Sequence, residues 1–115
     1  MARVAVEFLD DAAFDSVQAL PDPHLDVAWE LLEHLADAPF YGKPLEAAAA
    51  TGDLTGTRSL YVIDFDQTTI GWPPPYRIVY RLLPGERAPE RAQVIWAGRR
   101  DDLAVYRTAA RRLGR

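Results

Sequence analysis

The chain is 115 residues long, 49% hydrophobic, carries a net charge of −4 and contains no cysteine. Its length and apolar share suit one domain over residues 1–115 with a modest core, and the missing cysteines exclude disulfides, thiolate nucleophiles and cysteine-ligated metals, which suits a reducing cytoplasm. No stretch approaches the roughly 18 apolar residues of a membrane span, and acids follow the N-terminus too soon for a signal peptide, so the expected protein is soluble, cytoplasmic and without a membrane partner.

Val4, Val6 and Phe8 alternate with Ala5, Glu7 and Leu9, which predicts a strand with one apolar face. Asp10 or Asp11 is placed to cap a short helix over about 12–20, with Ala13, Val17 and Leu20 on one side. Pro21-Asp22-Pro23 breaks it, and a second helix is predicted from Pro23 with Asp22 as N-cap. Its expected buried stripe is Leu25, Ala28, Trp29, Leu32, Leu35 and Ala36, and Pro39 ends it. Residues 40–57 read mostly as loop. A strand follows over Arg58–Asp64, with Leu60 and Val62 inward. The prolines of Trp72-Pro73-Pro74-Pro75 cannot donate to a ladder, so this stretch reads as a stiff surface connection. Tyr76–Leu83 reads as a strand, with Ile78, Tyr80 and Leu82 opposed to Arg77, Val79 and Arg81. After the Pro84-Gly85 turn comes a strand over Gln93–Ala97. A last helix is then expected, capped by Asp101 or Asp102, with Leu103, Tyr106, Ala109, Ala110 and Leu113 on one face. The order β, α, α, β, β, β, α predicts an α+β fold. Its sheet is small, four-stranded and mainly antiparallel, with an N-terminal helical hairpin, a short C-terminal helix, and the helices on one face.

Charge is divided unevenly along this order. Residues 1–76 hold three basic against thirteen acidic residues, whereas residues 77–115 hold ten arginines against four acids, a local balance of +6. Such asymmetry suggests a polyanion or an acidic protein as partner, and arginine forks onto phosphate in a way lysine does not. The plainer reading is that these arginines decorate solvated faces.

Two segments go further: Tyr76-Arg77-Ile78-Val79-Tyr80-Arg81, and Ile95-Trp96-Ala97-Gly98-Arg99-Arg100 followed by Val105-Tyr106 and Arg111-Arg112-Leu113. With the element order, they resemble the RelE/ParE toxin superfamily of bacterial toxin–antitoxin systems, in its RelE-like branch. The resemblance implies a metal-independent and cofactor-free endonuclease that cuts messenger RNA in the ribosomal A site and is neutralised by a cognate antitoxin. In that chemistry the 2′-hydroxyl attacks the adjacent phosphate. It implies Arg77, Arg100 and Tyr106 as catalytic residues: Arg77 stabilising charge at the phosphate, Arg100 clamping it, and Tyr106 stacking on a base or holding the 2′-hydroxyl. Arg58, Tyr61, Arg81 and Arg99 are the accompanying candidates for substrate binding. Arg77, Arg100 and Tyr106 are then expected on one concave basic surface, which an antitoxin would cover, with neither Arg77 nor Arg100 in the core.

The sequence departs from the pattern at Ser59 and Tyr61, where active relatives often carry two basic residues. Arg58 does not substitute, because strand alternation points it away from Tyr61. Two alternatives stay open beside the nuclease: a ParE-like inhibitor whose partner is DNA gyrase, and an inactive RNA-binding relative. Tyr106 also reads as a core anchor. His24 and His34 have no plausible metal partners and read as structural. Trp72 is either an exposed recognition residue or one folded back on the core.

Overall fold

A computed structural model describes residues 3–115. Met1 and Ala2, where the stretch read as lacking a signal peptide begins, lie outside the described residues. The predicted alternation at the start becomes β1 (Ala5–Phe8), an edge strand parallel to β7 (Arg91–Arg99). β7 pairs antiparallel with β6 (Tyr76–Leu83), and β6 with β5 (Thr57–Tyr61). The sheet order is β1-β7-β6-β5-β2, so it has five strands rather than four. The fifth, β2 (Lys43–Pro44), and a small hairpin of β3 (Ala47–Ala48) and β4 (Gly52–Asp53) lie in the stretch expected to be loop. Two-residue strands carry no periodicity to read. Pro44 fits where it is because β2 is an edge, where one missing N–H costs nothing.

The helical hairpin covers one face. In α1 (Asp11–Gln18), the Asp10 carboxylate accepts from the Ala13 amide at 2.9 Å, the cap expected there. α2 (His24–Leu35) lacks the expected Asp22 cap: the residue before it is Pro23, and no side chain caps it. Its buried stripe is Val27, Ala28, Leu31, Leu32 and Leu35, rotated from the predicted one, so Leu25 and Trp29 sit at its margin. The stripe meets Leu60, Val62, Ile78, Tyr80, Leu82, Val94 and Ala97 in the main core.

The expectation of helices on one face is wrong for the third. α3 (Ala104–Arg112) packs on the opposite face in a second core of Leu54, Val79, Ile95, Val105, Ala109 and Ala110. Two features build that face. Val79 alternates away from Ile78 and Tyr80. The β6–β7 register also slips, Val79 facing Trp96 but Tyr80 facing Val94, and Ile95 is the extra residue supplied to the α3 side. Val105, missed in the predicted stripe, is buried, while Leu103 is exposed. Neither Asp101 nor Asp102 caps α3. Asp101–Leu103 form a 3-10 turn in which Asp102 and Leu103 have φ of 53° and 59°, and the Asp101 carboxylate pairs with Arg99. Among the described residues, no helix is long and apolar enough to cross a membrane.

Candidate functional site

The α3 face of β5 and β6 is where the predicted residues gather. Register sets Tyr61 opposite Arg77 and Ser59 opposite Val79, so Ser59, Tyr61, Arg77 and Val79 share that face. The Arg77 guanidinium lies over the Tyr61 ring, 3.9 Å from its centroid. The Tyr106 hydroxyl, reaching down from α3, is 3.0 Å from Ser59 Oγ. Tyr106 is half-buried against the second core, as a packing residue would be, with its hydroxyl directed to the strand rather than into that core.

Arg77 is not the surface residue that was expected. It is 5% exposed, one η nitrogen donates to the Pro74 carbonyl, and its buried Nε finds no acceptor. The sequence misleads here because, within the surface connection Trp72-Pro73-Pro74-Pro75, Trp72 and Pro73 are exposed but Pro74 is buried and its carbonyl takes the Arg77 guanidinium. Arg100 is exposed and makes no side-chain hydrogen bond or ion pair among the described residues, while its amide donates to the Pro75 carbonyl at 2.9 Å. The two arginines therefore attach to adjacent residues of one segment, Arg77 through its buried side chain and Arg100 through its backbone amide.

The other candidates are not brought together with these. Arg58 faces the hairpin side opposite Tyr80, as alternation predicts. Its Nε and one η nitrogen donate to both oxygens of Glu86 at 2.8 and 3.0 Å, and the other donates to the carbonyls of Phe40 and Gly42. The bond to Glu86 raises its pKa. Arg99 pairs with Tyr76 on that hairpin side, 5.4 Å over its ring, and bonds Asp101, which raises its pKa. Arg81 shares the Arg77 face four residues along β6. There it donates to Gln93 Oε1, which sits beside Glu7 through Gln93 Nε2. Partial burial, then the nearby Arg115, lower the Arg81 pKa. His24 packs edge-on to Tyr76 and His34 to Tyr41 and Phe65. Among the described residues, no three His, Cys, Asp or Glu side chains gather as a metal site.

Reasoning from the sequence overlooked the cleft beside Ser59 and Tyr61. It holds about 360 Å³ and is lined by Tyr41, Lys43, Ser59, Tyr61, Gln67 and Trp72, among others. Trp72 is 66% exposed and its ring lies 5.9 Å from that of Tyr61, so it is not folded into the core. Lys43, the chain's only lysine, pairs across from Ser59 and so points to the same face. Its being the lone lysine was the one available signal, with no visible strand to orient it.

A five-stranded sheet with a helical hairpin on one face and a C-terminal helix on the other defines the α+β class. Within it, the chain has the fold of the RelE toxins. It is similar over 98% of its length to 99% of an arginine-to-alanine double mutant of Escherichia coli toxin RelE in the free state, with a TM-score of 0.65 and 18% identity. It is also similar over 87% of its length to 94% of a chain in the toxin–antitoxin complex RelBE2 of Mycobacterium tuberculosis, with a TM-score of 0.56 and 22% identity. Neither models of known protein families nor curated proteins give a match.

Proposed function

We propose that this protein is the toxin of a toxin–antitoxin pair and cleaves messenger RNA in the ribosomal A site, in the cytoplasm. The observation that carries this reading is the contiguous set Arg77–Tyr61 and Ser59–Tyr106 on one sheet face, with the exposed, unpaired Arg100 anchored by its amide to Pro75, beside the Pro74 that Arg77 holds. Cleavage by a 2′-hydroxyl needs that hydroxyl oriented and the phosphorane charge neutralised. The Tyr106 hydroxyl, held by Ser59, is placed to hydrogen-bond the attacking group. The free fork of Arg100 suits a phosphate oxygen. Arg77 adds a fixed positive charge from below and holds Pro74. Arginine stays protonated at any physiological pH, so both arginines act by electrostatic stabilisation rather than proton transfer.

The antitoxin reading rests on the likeness to a chain solved in a toxin–antitoxin complex. A segment covering Arg100 and Tyr106 would block RNA and neutralise the toxin at once.

One observation favours a second reading. Arg77 is buried and no lysine stands at Ser59 or Tyr61, which suits a protein that binds without cutting, as a gyrase-directed toxin would. Purified translating ribosomes programmed with a defined message decide between them. The nuclease reading expects new transcript 5′-ends within A-site codons, lost on adding the antitoxin. Intact transcripts together with inhibited gyrase supercoiling would establish the second reading instead.

A further inference from the structure

We infer that the cleft between β2, β5 and the Trp72 loop is a binding subsite for one unpaired RNA nucleotide, its base stacked on Trp72 and its phosphate held by Lys43. The inference rests on the RNA-directed reading above but not on catalysis.

The cleft is built rather than incidental. Lys43 is placed by its neighbours: the Gly42 amide donates to the Tyr80 hydroxyl at 2.9 Å, and that hydroxyl donates to the Pro39 carbonyl at 2.7 Å. Arg58 holds the Gly42 carbonyl at 2.7 Å from the other side. A Cβ at Gly42 would stand 2.6 Å from the Tyr80 ring, so only glycine lets the segment approach this closely. The buried Tyr80 and the half-buried Arg58 thus fix the backbone from which Lys43 projects. Lys43 itself is exposed and makes no ion pair or side-chain hydrogen bond among the described residues, although the chain carries seventeen acidic residues.

The aromatic side is as unusual. Trp72 and Tyr41 are 66% and 50% exposed, and both line the cleft. The loop carrying Trp72 is held at its base by Asp64, whose carboxylate accepts from the amides of Thr68, Thr69 and Ile70 at 2.7 to 3.0 Å. Exposed aromatic faces beside a free cation are what a single-stranded nucleic acid requires: every base has a π-face to stack, and the backbone has a charge to pair. The volume of about 360 Å³ is of the order of one ligand pocket. Position points the same way. Ser59 and Tyr61 line this cleft and also touch Tyr106 and Arg77, so a nucleotide here adjoins the proposed scissile phosphate.

The test is fluorescence anisotropy of the full chain with a labelled, fully 2′-O-methylated single-stranded RNA hexamer, which cannot be cleaved. Trp72→Ala and Lys43→Gln are each expected to weaken binding by about 10-fold, the contribution of one stacked base or one phosphate contact. Arg111→Gln, an equal charge change on an exposed turn of α3, is expected to alter it less than about 2-fold. An abasic hexamer is expected to lose its sensitivity to Trp72→Ala and keep its sensitivity to Lys43→Gln. Circular dichroism melting should be unchanged, since both side chains are exposed. No binding by the wild-type protein, or equal binding by wild type and both variants, overturns the subsite. So does antitoxin affinity that falls in Trp72→Ala while RNA affinity holds, which would make the cleft a protein interface. Failure to cut messenger RNA on ribosomes with the hexamer results as expected would sink the nuclease alone and leave the subsite standing.

Discussion

At the scale of single residues, Arg77 and Arg100 look equivalent in the sequence and are not. Arg77→Ala removes a buried guanidinium and leaves the Pro74 carbonyl and the Tyr61 ring without their partner. It is therefore expected to lower stability by about 1–3 kcal/mol in denaturant titration, as well as lowering cleavage. Arg100→Ala, exposed and unpaired, is expected to leave the denaturation midpoint in place and reduce cleavage by about 10²–10³. Equal stability of the two variants would show that the burial of Arg77 contributes nothing. Tyr106→Phe keeps the packing ring and removes the bond to Ser59. Cleavage more than about 10-fold lower on ribosomes would mark the hydroxyl as functional, whereas unchanged cleavage would leave Tyr106 a packing residue. The sequence could place Arg77 on a strand but not report what covers it, because alternation assigns a face and not a depth. For the same reason, restoring lysine at both Ser59 and Tyr61 is a poor test of the missing basic residues. A lysine at Tyr61 would set an ammonium against the Arg77 guanidinium and remove the ring that stacks on it.

At the scale of elements, the legible parts were those long enough to show a period. β1, β5, β6, β7 and the three helices were all visible, and Asp10 was correctly read as a cap. β2 was hidden because its two residues pair with Ser59 and Arg58 farther along the chain, and the segment leading into it is held by the Tyr80 hydroxyl bridging Pro39 and Gly42. The side of the sheet taken by α3 was hinted at by Val79 standing between Arg77 and Arg81, but the bulge that adds Ile95 to that face leaves no sequence mark. Tyr80 makes this dependence measurable. Its burial pushes the phenol pKa up to about 12. The unfolded chain ionises this group near 10, so its contribution to stability is complete below pH ~10 and falls by roughly 1.4 kcal/mol per unit up to about 12. Tyr80→Phe is expected to cost about 1–3 kcal/mol at neutral pH, by leaving the Gly42 amide and Pro39 carbonyl unpaired, and to remove this component of the alkaline loss. Denaturant titrations of both proteins at neutral and alkaline pH check it. Parallel decline of the two above pH ~10 would assign the loss to other groups.

At the scale of the whole molecule, the +6 balance of residues 77–115 overstates what is offered to a polyanion. Of its ten arginines, eight already hold a side-chain or carbonyl partner: Arg77 at Pro74, Arg81 at Gln93, Arg91 at Glu7, Arg99 at Asp101, Arg107 at Ala50, Arg111 at Thr108, Arg112 at Asp10 and Arg115 at Thr55. Arg87 and Arg100 are the remaining two, and Arg100 is the one beside the candidate site. Much of the basic bias thus goes into tying β7, α3 and the 50–55 turn together, which is neither an open polyanion surface nor the mere decoration of solvated faces. The partnered arginines still contribute long-range field, but their forks are engaged and the rest of the chain is acidic. Binding of single-stranded RNA should accordingly depend on few direct phosphate contacts. The slope of log affinity against log salt is expected to be shallow, about −1 to −2 for two contacts at Arg100 and Lys43, and to lose about 0.7 when either is neutralised. The salt series with the methylated hexamer measures this directly. A slope steeper than about −4 would mean that the internal arginine pairs open on binding and that the whole C-terminal third meets the RNA.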